Sequence, residues 1–198
     1  MSATATGTGR IYGRSAETRC DTAHFKSCTL TDDSGALTYP EVGATGDVLP
    51  PGYRHVRRVN HLGHGDDVFQ RASARLLSWD MHRRAGLIVD ASTPHVTVGA
   101  TVRLGWALGP FRIWAPCRVV WVADDPNERG FAYGTLAGHA ERGEERFVVH
   151  RSGDDQVWLT ITAFSRPVRW FSRLGGPVAQ RVQDRILDRY AAALEAAQ

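Results

Sequence analysis

Hydrophobic positions recur along this chain with two different periods, and the changeover falls at Gly86. Before it, Phe69, Ala72, Leu76 and Trp79 stand three or four apart, with Leu77 and Met81 beside them, which is the spacing of one apolar helical face. Asp66 or Asp67 is placed to cap that helix, and Gly86 suits a left-handed stop after Ala85. After it, alternate positions are apolar over residues 87–91, 97–108, 111–123, 130–136, 144–151 and 156–164, separated by short polar or glycine-bearing links. Residues 53–62 make an earlier strand that Gly63 and Gly65 break. Strands joined by links this short pair antiparallel. Trp170, Phe171 and Leu174 predict a helical turn. Pro177 then opens a long helix in which Val178, Val182, Ile186, Tyr190 and Leu194 recur every four residues beside Arg181, Arg185 and Arg189.

Residues 1–36 lack this periodicity and are rich in Gly, Ser, Thr and Asp, so they are expected to be a flexible N-terminal extension ahead of a single domain over 37–198. The predicted class is α+β: a curved antiparallel sheet of about seven strands whose apolar face must be covered, with the C-terminal helix as the natural cover.

Composition narrows the function classes. Hydrophobic residues at 42% and charged residues at 23% are ordinary for a globular chain, and no apolar run is long enough to cross a bilayer, so no membrane partner is expected. The first ten residues hold no hydrophobic segment behind a basic start, which points to a cytoplasmic protein. Of the 24 basic side chains only Lys26 is a lysine, leaving 23 arginines, yet the net charge is +3. The small clusters at Arg54, Arg57 and Arg58 and at Arg83 and Arg84 are weaker than the basic stripe of a nucleic-acid binder, so none is expected to bind there. Cys20, Cys28 and Cys117 make an odd count that fits a reducing compartment. Cys20, His24 and Cys28 supply three ligands where a structural zinc site closes with four, so neither metal nor cofactor is expected. The chain is expected as a monomer or a homodimer.

Several ordered blocks resemble one family. They are Leu-Thr-Tyr-Pro-Glu-Val-Gly-Ala-Thr (37–45), Gly-Tyr-Arg-His (52–55), Leu-Leu-Ser-Trp-Asp-Met-His-Arg-Arg-Ala-Gly-Leu (76–87), Ala-Pro-Cys-Arg-Val-Val-Trp-Val (115–122), Gly-Phe-Ala-Tyr-Gly-Thr-Leu-Ala-Gly-His (130–139), Gly-Glu-Glu (143–145) and Ala-Phe-Ser-Arg-Pro (163–167). In these the chain is similar to the uncharacterised DUF1990 family, from Leu37 to the last helix. Ala137 and Ala140 depart from it, standing where the family pattern leads one to expect prolines. The element order resembles the helix-grip fold of the START/SRPBCC superfamily. That resemblance implies a cavity between sheet and helix; periodicity alone does not.

The candidate chemistry gathers near the turn between the strands at 130–136 and 144–151. Glu145 alternates in phase with Phe147 and Val149, which puts a carboxylate on the apolar face, where burial raises its pKa and suits it to acid/base work. The other reading is a structural ion pair, with Arg118 as partner because it shares a strand phase with Trp114, Val120 and Val122; that pair is preferred, since a buried guanidinium needs a bidentate acceptor. Glu144 points the opposite way and is expected to be solvated. His139, on the turn, is either a second proton carrier or a loop side chain bonded to backbone. Tyr133 and Thr135 offer hydroxyls to a cavity, with Trp79, Trp121, Phe147 and Trp158 as apolar lining, although aromatic residues at such positions also serve as ordinary core. His82, followed by Arg83 and Arg84, is either placed to attract an anionic ligand group at a helix C-terminus or part of a cationic end that the helix dipole alone favours.

Two functions follow. The first is a small-molecule-binding protein holding an apolar or aromatic ligand between sheet and C-terminal helix. The alternative is an enzyme of the cyclase, dehydratase or hydrolase kind acting on a natural-product-like substrate, with Glu145 as acid/base, Arg118 as orienting group and His139 as proton carrier.

Overall fold

A computed structural model describes residues 35–108, 111–168 and 176–195. Apart from Gly35 and Ala36, the expected N-terminal extension lies outside the described residues, as do the Cys20–His24–Cys28 trio and the turn at Trp170, Phe171 and Leu174. The elements in order are β1 (Arg54–His64), α1 (Asp66–Leu77), α2 (Asp80–Arg84), β2 (Ile88–Ala91), β3 (Thr101–Leu108), β4 (Phe111–Asp124), β5 (Glu128–Thr135), β6 (Glu141–Arg151), β7 (Gln156–Pro167) and α3 (Gly176–Glu195).

The seven strands form one antiparallel sheet in the order β1-β7-β6-β5-β4-β3-β2. Strands β2 to β7 follow one another as the short links predicted. The pair α1–α2 carries the chain from one sheet edge to the other, so β1 lies beside β7.

The single helix expected up to Ala85 is two helices. Trp79 takes a left-handed φ of 65° between them, its indole fully buried and its Nε1 donating to the Thr93 carbonyl at 3.2 Å. The break re-aims the last turn so that Met81 and His82 also face inward, both at 0% exposure. Gly86 closes α2 at φ 90°, as its position implied. The N-cap of α1 is Gly65, not an aspartate; Asp66 and Asp67 occupy the first turn instead, where their charge meets the positive end of the helix dipole. Asp66 is further held by Arg151 Nη1 at 2.7 Å.

Directly opposed residues in an antiparallel ladder share a face, so the register assigns each strand residue to one side. Val119, Tyr133, Glu145, Ala163 and Val56 form one row of the inner face, and Val122, Phe131, Phe147 and Ile161 form another. Against this face pack Phe69, Leu76, Trp79 and Met81 from the first helices and Leu187, Tyr190, Ala191 and Leu194 from α3. Arg185 and Arg189 of α3 stay exposed, as an amphipathic cover requires. A curved seven-stranded sheet closed by its C-terminal helix is the helix-grip architecture.

The outer face is covered too, in part. Residues 38–47 cross it as a leader that ends in a 3-10 turn at Ala44–Gly46. Tyr39 and Tyr53 both meet the Phe164 ring edge-on, at 5.5 and 5.0 Å between centroids. Tyr39 also lies against Gly134, where an added Cβ would stand 2.1 Å from its hydroxyl, so only glycine admits this contact.

Candidate functional site

Strand pairing builds the inner site. Tyr133 of β5 and Glu145 of β6 are directly opposed, and the Tyr133 hydroxyl donates to Glu145 Oε2 at 2.9 Å. Cys117 of β4, opposite Thr135, is buried on the same side, and burial followed by the Glu145 charge pushes its thiol up. Tyr190 closes the site from α3, its ring 5.4 Å from that of Phe147, and its hydroxyl is likewise pushed up by burial and then by Glu145.

Burial raises the Glu145 carboxyl to about 7; the Tyr133 hydrogen bond opposes this and the Glu141 carboxylate adds to it. Glu145 is half-buried as a residue, and the protein packed around its carboxyl disfavours the charged form.

Arg118 does not meet this carboxylate. It stands opposite Gly134, which is opposite Glu144, so it belongs to the outer face, where it is buried at 7% exposure. The sequence phase that joined Arg118 to Val122 fails because a bulge between Val119 and Trp121 inserts a residue and shifts the alternation. The same bulge turns Trp121 outward, opposite Ala132, where the Arg146 guanidinium stacks 3.9 Å from its ring. Trp158, opposite His61 and His150, is outward as well, its ring 4.7 Å from that of His61. Of the six expected lining residues, Tyr133, Phe147 and Trp79 face the interior. Thr135 is tied at the rim, its hydroxyl 2.5 Å from that of Thr38 and accepting from the Gly143 amide at 3.1 Å.

Glu144 points away from Glu145 as the alternation required, but it is buried and not solvated. Its carboxylate accepts from the Tyr39 hydroxyl at 2.7 Å, the Gly43 amide at 2.7 Å, the Thr45 amide at 3.1 Å and the Thr45 hydroxyl. It is the clamp that holds the leader on the sheet. His139 lies in the β5–β6 turn, where its Nδ1 accepts the Glu141 amide at 2.9 Å. Burial takes this ring down to about 4, so it is neutral near pH 7.

The feature least visible beforehand is His82. It is fully buried inside a ring of aromatic side chains, with centroids at 5.1 Å (Tyr190), 5.5 Å (Phe147), 5.8 Å (Trp79) and 6.0 Å (Phe131 and Tyr133). Among the described residues neither ring nitrogen has a hydrogen-bond partner. Burial, then Arg83, holds the ring down to about 3. A neutral, enclosed imidazole cannot draw an anion to the helix end, so that expectation is corrected. The available signal was its i, i+3 relation to Trp79, which the adjacent arginines obscured.

Among the described residues, hollows open on the surface at two places relevant to the site. One of about 200 Å³ lies between the leader turn and the outer face, lined by Gly43, Thr45, Gly46, Asp47, Trp121, Ala132 and Arg146. The other, about 430 Å³, lies between α2 and α3 beside Arg84, Gly86 and Arg189. Neither is lined by Glu145. Among the described residues no helix is long and apolar enough to cross a membrane.

The chain is 37% identical over 167 residues to a UPF0548 protein of Deinococcus radiodurans, covering 79% of this chain and 84% of that one. It is 30% identical over 134 residues to a UPF0548 protein of Arabidopsis thaliana, covering 60% of this chain and 62% of that one. Among solved structures, hypothetical protein jhp0584 from Helicobacter pylori superposes with a TM-score of 0.53 at 11% identity, covering 72% of this chain and 89% of that one. A Thalictrum norcoclaurine synthase point mutant in complex with a transition-state analogue gives 0.51 at 11% identity, covering 74% and 96%. At that identity the likeness concerns the fold alone. Residues 38–193 match the model described as a domain of unknown function, DUF1990, and the chain therefore belongs to the DUF1990 family.

Proposed function

We propose that this is a cytoplasmic small-molecule-binding protein whose residues 37–198 act as one domain, receiving an apolar or aromatic ligand on the inner face between the sheet and α3. One observation carries the reading: among the described residues the one hydrogen bond to the half-buried Glu145 carboxyl is from Tyr133, while the arginine that would have made it a structural ion pair faces the other side. A buried ionisable group without an opposite charge destabilises a fold, and its presence is best explained by a ligand that uses it. The aromatic walls at Tyr133, Phe147 and Tyr190 suit such a ligand. The norcoclaurine synthase that shares the fold was captured with a transition-state analogue, which supports ligand binding by analogy.

The test is a screen of aromatic fragments against the isotopically labelled full chain, read by NMR. Binders are expected to shift Tyr133, Phe147 and Tyr190. Shifts confined to Trp121 and Trp158 on the outer face, or none at all, would defeat the proposal.

A second reading is favoured by the position of Glu145 near pH 7. A carboxyl there is partly protonated and partly ionised, so it serves as either acid or base, with Tyr133 as the adjoining proton donor. In that reading Glu145→Gln abolishes turnover of a bound substrate and spares its binding; Arg118 has no part in it.

A further inference from the structure

Resting on that reading of the inner face, we infer that the ligand carries a basic nitrogen on an apolar or aromatic body and pairs it, protonated, with the Glu145 carboxylate inside the aromatic wall.

The argument is one of charge balance. The groups that act on the Glu145 carboxyl are Tyr133 of β5, a neutral donor, and Glu141 of β6, a second negative charge. The groups that feel it in turn are Cys117 of β4, Tyr133 and Tyr190 of α3, and each is driven toward its neutral form. His82 of α2, whose ring stands 6.0 Å from that of Tyr133, is held neutral by burial. Arg118 and Arg146 lie on the outer face, the latter stacked on Trp121. Among the described residues the inner site thus has an excess of negative potential and no cation to answer it.

Three ligand classes meet that potential differently. An anionic group would set two like charges together where screening is poor, so one must be neutralised. A neutral hydroxyl can accept from the protonated carboxyl but leaves the ionised form unanswered. An ammonium answers it directly, with a charge-assisted hydrogen bond to a carboxylate. It gains again from the rings of Tyr133, Phe147 and Tyr190, whose centroids stand 5.4 to 5.6 Å apart along the chain of contacts, because aromatic faces attract cations. The amine also changes the proton balance. It favours ionised Glu145, so its binding releases a proton and tightens as pH rises from 6 to 8.

The experiment compares three probes of one shape on the full chain, 1-naphthylmethylamine, 1-naphthalenemethanol and 1-naphthoate, by fluorescence titration with NMR to locate the contact. The amine is expected to bind about tenfold or more tighter than the alcohol, and the alcohol tighter than the carboxylate. In Glu145→Gln the amine's advantage over the alcohol is expected to vanish while the alcohol's affinity stays. The pH profile of amine binding to the unaltered chain gives a readout that needs no variant. If the alcohol or naphthoate binds as tightly as the amine, or amine binding ignores pH between 6 and 8, the inference is overturned while inner-face binding stands. If no probe shifts Tyr133, Phe147 or Tyr190, the inner-face reading falls and the inference with it.

Discussion

Replacement of Glu145 by Gln should flatten part of the pH dependence of stability, with a sign and size that follow from the site. Glu145 titrates near 4.5 when unfolded and at about 7 in the folded chain, because burial outweighs the Tyr133 hydrogen bond. Below the unfolded value both states carry the proton and the group contributes nothing. Between 4.5 and about 7 the folded state binds more proton than the unfolded one, so stability falls as pH rises through that window and levels off above it. Each pH unit of displacement carries about 1.4 kcal/mol, so the loss by pH 8 approaches about 3 kcal/mol. Glutamine keeps an acceptor for the Tyr133 hydroxyl and removes the ionisation, so the variant should match the parent near pH 4, exceed it by about 1 kcal/mol at pH 5 and by up to about 3 kcal/mol at pH 8. Urea denaturation of both proteins at half-unit steps from pH 5 to 8 measures this directly. Parallel curves across the window would refute the claim that Glu145 holds a displaced proton, and with it the acid/base role.

Two other substitutions probe the frame around the site. Glu144→Ala strips the acceptor from Tyr39, Gly43 and Thr45 and should destabilise by about 3 kcal/mol or more, with hydrogen exchange at the Gly43 and Thr45 amides accelerated ahead of global unfolding; unchanged protection there would show that the clamp is not what holds the leader. His82→Phe keeps a ring inside the aromatic cluster while removing two nitrogens that have no partner among the described residues, so thermal denaturation should show stability held or raised by about 1 kcal/mol, where most core changes lose it. A loss of several kcal/mol instead would reveal that the imidazole has a buried partner.

The sequence alone determined the elements and one face of the site. Period-two runs located the strands, the stripe ending at Leu194 located α3, and the shared phase of Glu145 with Phe147 and Val149 put the carboxyl on the apolar side. These are local regularities, set by the geometry of a strand or a helix, and they survive wherever the element stays regular. Tertiary structure decided the rest. The β4 bulge arises from pairing with β5, and one inserted residue parted Arg118 from Glu145 and sent Trp121 outward. Glu144 became buried because a leader about a hundred residues earlier in the chain lies across it, a contact that strand alternation cannot foresee. Trp79 left the helix because its indole found a place among Phe131 and His82 and a carbonyl at Thr93. In each case the outcome depended on which surfaces met across the fold, and alternation records only which side of its own strand a residue occupies, not what covers that side.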